Sequence, residues 1–118
     1  MPDQRRALGD AGERLAERAL RDRGWRIVAR NARTRYGEID LVCHDGRGFV
    51  FVEVKARRAS SFVPAVEAAG PRKIDRLTRL AEAWLALNRT RDGAWRLAVV
   101  AVSVGRTGAD ARVIDVVA

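Results

Sequence analysis

Residues 37–55 of the chain read GEIDLVCHDGRGFVFVEVK, and this stretch decides the fold. On both sides of the pentapeptide at positions 44–48, apolar and polar side chains alternate, which is typical of β-strands that bury one face. The pentapeptide holds two glycines and an aspartate, residue types that favour tight turns. The stretch therefore predicts a β-hairpin with a two-residue turn at Gly46-Arg47, where glycine tolerates positive φ.

The turn position determines which residues of the two predicted strands face each other. Asp40 falls opposite Glu53, and Glu38 falls opposite Lys55. A one-residue slip would move these charges onto the apolar face, so we expect burial to hold this register. The apolar face, which suits a core, carries Ile39, Leu41, Cys43, Val50, Val52 and Val54.

The expected juxtaposition of Asp40 and Glu53 is unfavourable by itself. Two unit charges about 5 Å apart repel by roughly 3 kcal/mol at an effective dielectric constant near 20. A divalent cation explains the pair, because Mg²⁺ binds through one or two carboxylates and keeps its other positions for water and phosphate oxygen. Lys55 would stand beside that metal as a compact positive charge. The competing interpretation is an ordinary solvated strand face, with Glu38 and Lys55 forming a cross-strand ion pair.

The net charge of +8 makes a polyanion, most simply nucleic acid, the expected partner. A membrane surface is the lesser alternative, because the basic residues are scattered and not gathered on one amphipathic helix. With 118 residues, 47% hydrophobic and 32% charged, the chain is expected to form a single globular domain over residues 1–118. It starts without the apolar stretch of a signal peptide, and its longest apolar run, residues 97–102, is too short to span a bilayer. We therefore expect a cytoplasmic protein.

Two residue types that each occur once, cysteine and histidine, limit the kinds of site that the chain can form. The only cysteine, Cys43, and the only histidine, His44, exclude an internal disulfide, a cysteine-based zinc site and any two-histidine metal motif. Cys43 falls on the apolar face and is expected in the core. Among 23 basic residues, only Lys55 and Lys73 are lysines. A lysine at position 55 is unexpected in a chain that otherwise uses arginine. A site that needs a small ammonium beside a metal would explain it, because a bulky guanidinium cannot replace that ammonium.

The rest of the chain predicts an α/β domain with a mixed sheet. Residues 4–23 have the pattern of an amphipathic helix, in which Gly9 and Gly12 each cost about 1 kcal/mol relative to alanine. Either close helix–sheet packing or close approach of a ligand to the backbone explains these glycines. A second helix begins at Pro71. Strands are expected at residues 25–29, 95–104 and 112–117, and a long loop, suited to substrate contact, at 56–70.

Several short motifs occur together at characteristic spacings. They are Gly9, Gly12-Glu13 and Ala16, then Asn31-x-Arg33, then residues 37–41, then residues 51–55 with Arg57, and finally Val66 and Lys73. In this combination the chain resembles the PD-(D/E)XK nuclease superfamily, and more closely the YraN-like family of small bacterial proteins related to archaeal Holliday-junction resolvases. The resemblance covers most of the chain. It implies a restriction-endonuclease-like αβββαβ core, in which a central mixed sheet is flanked by helices.

The resemblance also implies roles for individual residues. The metal-binding acids of the superfamily fall on Asp40 and Glu53, with the carbonyl of Val54 as a further ligand of Mg²⁺ or Mn²⁺. The catalytic lysine falls on Lys55. The first-helix acid falls on Glu13, which would bind a second metal or a water molecule. Where the family tends to have an Arg-aromatic-Asp tripeptide, this chain has RLA at residues 96–98, a departure that leaves the four-residue centre intact.

These features predict a metal-dependent endonuclease-like protein that acts on nucleic acid, with DNA, including branched DNA, as the expected substrate. The resolvase-like resemblance also implies a homodimer, because two symmetric cuts need two sites. The alternative is a non-catalytic module that binds nucleic acid or a protein partner and keeps the nuclease fold. The complete set of acids and lysine favours the enzyme. The cations expected to contact phosphate are Arg33, Arg57, Arg58 and Lys73.

Overall fold

The computed structural model describes residues 4–59, 70–90 and 93–116, and it describes residues 4–8 by their backbone alone. The described part confirms the expected αβββαβ order followed by one more strand. In chain order the elements are α1 (Gln4–Asp22), β1 (Arg26–Thr34), β2 (Gly37–His44), β3 (Phe49–Arg58), α2 (Pro71–Leu87), β4 (Trp95–Val104) and β5 (Ala109–Val116).

The five strands form one mixed sheet in the order β1-β2-β3-β4-β5. Neighbouring strands are antiparallel except β3 and β4, which are parallel. The parallel pair needs a crossover connection, and the segment that contains α2 provides it. The expected α/β class with a mixed sheet is therefore correct.

The two helices cover opposite faces of the sheet, and each face has its own buried cluster. On one side, Ala16 and Leu20 of α1 pack against strand residues such as Val52 and Val100. The central strands are buried on both faces, which explains why β4 is an almost continuous apolar run. The cluster under α2 contains Phe51, Val99, Leu77, Leu80, Ala81 and Trp84.

Strands β1, β3 and β5 are longer than the sequence pattern predicted; β5 begins at Ala109, where the prediction began at residue 112. β1 continues to Thr34, whereas the prediction ended at residue 29. Two irregularities lie along this strand: Asn31 adopts a positive φ of 47°, and the β1–β2 register shifts between Ile27 and Ala29. Such irregularities interrupt the two-residue alternation by which a strand is recognised. β3 continues to Arg58, so the start of the predicted loop is strand. Residues 60–69 of that loop, including Val66, lie outside the described residues.

The register of the β2–β3 hairpin follows the predicted turn. Leu41 pairs with Val52 and Cys43 pairs with Val50, while Gly46 has the positive φ, 97°, that the turn requires. The hydrogen-bonded ladder ends at Leu41–Val52. Asp40 lies across from position 53, as predicted, and the two form the first pair beyond the hydrogen-bonded ladder.

The prediction that only one face of the hairpin is buried is wrong. Val42 and Phe51, which alternate with the core positions, are fully buried beneath α2. Ile39 was expected beside Leu41 and Cys43, yet it packs in the α2-side cluster while they lie on the α1 side. The ladder that would impose strict alternation stops just before Asp40, so the backbone of β2 departs from the regular pattern there.

Asp45 closes the hairpin turn through its side chain. Its carboxylate oxygen Oδ1 accepts hydrogen bonds from the backbone N–H groups of Arg47 at 2.8 Å and Gly48 at 2.9 Å. Arg96 of β4 donates to the other oxygen, Oδ2. These bonds hold the pKa of Asp45 well below its usual range. The turn is therefore tied to the neighbouring strand by an ion pair.

The close packing of α1 on the sheet explains one of its two interior glycines. A Cβ atom at Gly12 would lie 2.6 Å from the Cβ of Ala56 on β3, much closer than a normal contact. A Cβ at Gly9 would meet nothing within 4 Å. Gly12 is therefore a packing glycine. Within the described residues, neither helix combines the length and the apolar character needed to cross a bilayer.

Candidate functional site

The site begins where β2 and β3 separate at the end of their ladder. The backbone N–H of Val54 donates a hydrogen bond to Asp40 Oδ2 at 2.8 Å. Because this N–H belongs to the backbone of β3, the hydrogen bond places the half-buried Asp40 carboxylate between β2 and β3. The local backbone thus fixes the position of the Asp40 carboxylate.

Glu53 reaches the same region from the α2 side of the sheet. Its neighbours Val52 and Val54 pack on the α1 side, and side chains alternate along a strand. Arg76 of α2 donates to its Oε1 atom, and Lys73 Nζ lies 3.3 Å from Oε2. The Glu53 side chain is only 14% exposed. Two cations of α2 therefore neutralise a largely buried carboxylate.

Oε2 of Glu53 is unusual among these oxygens. It is buried, and among the described residues it accepts no hydrogen bond of normal geometry. The nearby Lys73 ammonium supplies charge but not the direction that a hydrogen bond needs. A buried carboxylate oxygen without a directed donor is one that a further cation can bind.

Glu13 approaches Asp40 from α1, one residue after the glycine that brings this helix close to β3. Burial raises the pKa of Glu13, and repulsion from Asp40 and, more weakly, Glu38 acts in the same direction. Burial also raises the pKa of Asp40, against the opposing hydrogen bond from Val54, and repulsion from Glu53 adds to the increase. Asp40 thus interacts with the acids on both sides of it. It lies within electrostatic reach of the two other predicted acids, Glu13 and Glu53, and of Glu38.

Lys55 follows Glu53 by two residues on β3 and so shares its face of the sheet. The side chain is exposed. Within residues 4–59, 70–90 and 93–116, no ion pair joins Lys55 to Glu38 or to any other acid. The ordinary cross-strand pair considered from the sequence is therefore not formed, and this ammonium is available to a ligand.

The donor set suits a hard divalent cation. Asp40 and Glu53 offer carboxylate oxygens, and Val54, which lies next to Glu53 on β3, offers a backbone carbonyl. Mg²⁺ and Mn²⁺ accept such oxygen ligands and fill the remaining positions with water. In the part of the chain that the structure describes, no group of three or more His, Cys, Asp or Glu side chains is placed to hold a metal ion, so any ion here would depend on two carboxylates and on water. The residues fit an open, partly hydrated ion and do not fit a protein-enclosed zinc site.

The predicted phosphate-contacting cations surround this centre unevenly. Arg33 is exposed on β1, directly across from Glu38. Arg57 lies on the same face of β3 as Lys55, whereas Arg58 alternates to the other face. Lys73 sits against Glu53, as described above. These residues were predicted individually, and the structure shows that only some of them share a surface.

Arg76 is the residue that sequence reasoning missed. It contacts Glu53 more directly than Lys73 does, through both an ion pair and a hydrogen bond. A sequence signal existed, because Arg76 follows Lys73 by three residues and such residues are neighbours on a helix surface. The contact itself joins residues 23 positions apart, which periodicity does not reveal.

Comparison with known proteins identifies the family of this chain. The sequence profile of the uncharacterised protein family UPF0102 matches residues 12–102. A UPF0102 protein of Mycolicibacterium vanbaalenii is 44% identical over 104 residues, which is 88% of this chain and 86% of that protein. A UPF0102 protein of Streptomyces griseus is 48% identical over 89% of both chains. A third, from Nocardia farcinica, is 50% identical over 78% of this chain and 70% of that protein.

Among solved structures, this chain is similar to Pyrococcus furiosus SfsA in complex with Ca²⁺. The TM-score is 0.41 and the sequence identity 19%, over 93% of this chain and 62% of that chain.

Proposed function

This chain belongs to the uncharacterised protein family UPF0102, the YraN-like family, and we propose that it is a divalent-metal-dependent endonuclease that acts on nucleic acid. One observation carries the proposal. Asp40 lies where β2 and β3 separate and interacts with acids on both sides, and Lys55 on the neighbouring strand pairs with no acid of the described residues. Phosphodiester hydrolysis needs this combination of oxygen ligands for a cation and a separate positive charge for the phosphate.

The residues have separate roles in this proposal. Asp40 and Glu53 would hold Mg²⁺ or Mn²⁺ together with the Val54 carbonyl. When bound, the ion would supply Lewis-acid activation of the attacking water and offset negative charge on the phosphate. Lys55 would orient that water or donate to a phosphate oxygen. Glu13, whose raised pKa favours the protonated form more than in free glutamate, would hold water on the α1 side of Asp40.

The proposed substrate surface is the exposed, basic one around the acids. Arg33 and Arg57 would contact phosphates on either side of the centre, with Arg58 as a further contact at the end of β3. Lys73 and Arg76 already lie at Glu53 and can donate to a phosphate that approaches it. Branched DNA is the first substrate to examine, in view of the resolvase-like resemblance of the sequence.

A cleavage assay tests the proposal. Purified protein would be incubated with Mg²⁺ or Mn²⁺ and labelled linear, flapped and four-way DNA. The parent should cut at least one substrate, and Asp40→Asn should not. Asp22→Asn is the matched control, because Asp22 is an exposed acid at the far end of α1. The control should cut at the parent rate. Equal cutting by Asp40→Asn and the parent would refute the assigned centre.

A second candidate function is a nucleic-acid-binding module without turnover. One observation favours it, namely that Arg76 and Lys73 already neutralise Glu53. A protein that uses these ion pairs only for stability would have no need of a metal. Metal-independent binding of DNA, with no cleavage of any substrate in either metal, would favour this candidate over the enzyme.

A further inference from the structure

A cavity of about 710 Å³ opens between the β1–β2 turn and the outer surface of α2. None of the residues assigned to the acidic centre lines it. We call this cavity the tyrosine pocket. The lining residues used below are Arg35 and Tyr36 of the turn and Arg79, Glu82 and Leu87 of α2.

The backbone of Tyr36 is hydrogen-bonded within the β1–β2 turn, while its side chain is not buried. Thr34 Oγ1 donates a hydrogen bond to the Gly37 carbonyl at 2.9 Å and accepts one from the Tyr36 backbone N–H at 3.1 Å. These bonds close the turn that carries the ring. Tyr36 is nevertheless 50% exposed, and Leu87 beside the pocket is 68% exposed. The hydrogen-bonded turn therefore holds a half-exposed aromatic ring at the edge of the pocket.

Two cations accompany the ring. The Cζ atom of Arg35 lies 5.0 Å from the centroid of the Tyr36 ring, and that of Arg79 lies 5.9 Å from it. Aromatic rings and guanidinium planes are the surfaces on which proteins stack unpaired nucleobases. Glu82 is the single carboxylate among the lining residues, so the pocket has a net positive charge. That charge suits the phosphate backbone on either side of a bound base.

The tyrosine pocket and the acidic centre are connected by two elements. Asp40 follows Tyr36 by four residues along the β1–β2 turn and β2, a span of about 13 Å in an extended chain. On α2, Arg76 contacts Glu53 of the acidic centre. Arg79, which follows Arg76 by three residues, contacts Tyr36 of the tyrosine pocket. A separation of about 13 Å corresponds to roughly four stacked nucleotide steps. One nucleic-acid strand is long enough to reach both places.

We propose that the tyrosine pocket binds an unpaired nucleobase of a single-stranded nucleic-acid segment. This inference rests on the proposed function only in that the acidic centre would act on the same strand. A base inside a duplex has both faces covered by its neighbours, whereas an unpaired base can leave the strand and stack on Tyr36. The proposed substrate class is therefore a nucleic acid with a single-stranded segment, such as a flap or an open junction.

A second copy of this chain is the rival occupant of the pocket. In a two-fold interface with its axis at the pocket, Arg35 and Arg79 of one copy would lie near those of the other. Four guanidinium groups close together repel unless acids separate them, and each copy offers only Glu82 in the pocket. The charges thus favour a polyanion.

Binding without metal tests the inference apart from cleavage. Fluorescence anisotropy in EDTA at low salt would compare a single strand of about 12 nucleotides with a blunt duplex of the same sequence. Tyr36→Ala should weaken single-strand binding by about 5- to 150-fold, the effect of losing one base–aromatic stack. Its effect on the duplex should be less than about twofold. Tyr36→Phe, which keeps the ring, should restore single-strand binding, and thermal melting would verify that both variants are folded.

The outcomes separate this inference from the nuclease proposal. If the parent fails to bind the single strand, or if Tyr36→Ala binds it as tightly as the parent, the inference is overturned. The inference is also overturned if Tyr36→Ala weakens binding to the single strand and to the duplex equally. It is overturned as well if sedimentation shows a dimer that Tyr36→Ala dissociates. Loss of single-strand binding in Tyr36→Ala supports the pocket even when no DNA is cut, so failure of the nuclease proposal remains distinguishable.

Discussion

At Asp40, the backbone of β3 donates a hydrogen bond to a carboxylate that acids on both sides repel. The geometry keeps the group in place while its electrostatic surroundings disfavour its charge. The same hydrogen bond requires only an acceptor oxygen, which asparagine also provides. Position 40 therefore allows the charge to be removed with little change in shape.

We expect Asp40→Asn to raise stability at neutral pH by about 1 kcal/mol, because it removes a charge that burial and, to a smaller extent, repulsion from Glu53 and Glu38 disfavour. The folded-state pKa of Asp40 is raised above its usual value of 3.8, so the ionised form lowers stability as pH rises through this range. Below the unfolded pKa the aspartate is protonated in both states, and the advantage of asparagine should vanish. Thermal melting of both proteins in metal-free buffer between acid and neutral pH would measure this.

Asp45→Asn is the matched variant with the opposite sign. The pKa of Asp45 is depressed by hydrogen bonds from Arg47, Arg96 and Gly48, so its charge stabilises the fold above the unfolded pKa. We expect Asp45→Asn to lower stability at neutral pH by about 1.5–3 kcal/mol, the value of a hydrogen bond to a charged group. This loss should shrink as pH falls below about 4 toward the folded pKa. If both variants shift stability in the same direction at neutral pH, the electrostatic account of these residues is wrong.

Lys55→Arg should abolish most cleavage while leaving folding and nucleic-acid binding unchanged. A guanidinium is broader than an ammonium and is a poor substitute beside a metal and a phosphate. We expect a loss on the order of 100-fold in the cleavage rate, as for removal of one group that stabilises the transition state.

The other lysine of the chain supplies the control for Lys55. Arginine at position 73 can keep the ion pair with Glu53, so Lys73→Arg should cut within a few-fold of the parent. Equal rates for Lys55→Arg and the parent would remove the special role of the ammonium.

At the scale of elements, the sequence predicted the hairpin register, both helices and β4, since these depend on local turn chemistry and apolar periodicity. It did not predict the length of β1, because Asn31 and the register shift interrupt the alternation. It also misplaced Ile39, because the end of the β2–β3 ladder is decided by tertiary contacts. The placement of Asp40 across from Glu53 follows from the predicted hairpin register, whereas the contact of Arg76 with Glu53 depends on the crossover through α2 and was missed.

The two glycines of α1 should respond to alanine in opposite ways. At Gly12, the new Cβ would collide with Ala56 at 2.6 Å, and we expect a loss of about 1–3 kcal/mol from overpacking. At Gly9, no atom lies within 4 Å of the new Cβ, so the helix propensity of alanine should add about 1 kcal/mol. Urea denaturation of both variants would measure the difference. A stable Gly12→Ala variant would contradict the close packing of α1 on β3.

At the scale of the whole molecule, the net charge of +8 leads us to expect binding to a phosphate backbone. The affinity for duplex DNA should fall with salt at a log–log slope of about −0.9 per phosphate neutralised. Arg57→Ala combined with Arg58→Ala should reduce the steepness by about one to two units and weaken all sequences alike. Affinity measured at several salt concentrations checks this. Homodimer formation and cytoplasmic location stay predictions from the sequence.

Arg47→Ala is the control for the salt experiment. Arg47 is exposed at the hairpin turn, at the opposite end of β3 from Arg57 and Arg58. Its loss should leave the salt dependence close to that of the parent. Affinity that does not change with salt, or equal effects of Arg47→Ala and the double variant, would contradict a nucleic-acid surface at the end of β3.

The most direct test of the central claim, a divalent-cation site at Asp40 and Glu53, is calorimetric titration of the protein with Mn²⁺ in the absence of nucleic acid. The parent and the Asp22→Asn control should bind Mn²⁺ alike, because Asp22 lies at the far end of α1. Asp40→Asn should bind none, since it removes a charged ligand and keeps the fold. Absence of Mn²⁺ binding by the parent, or equal binding by the parent and Asp40→Asn, would contradict the assigned metal site.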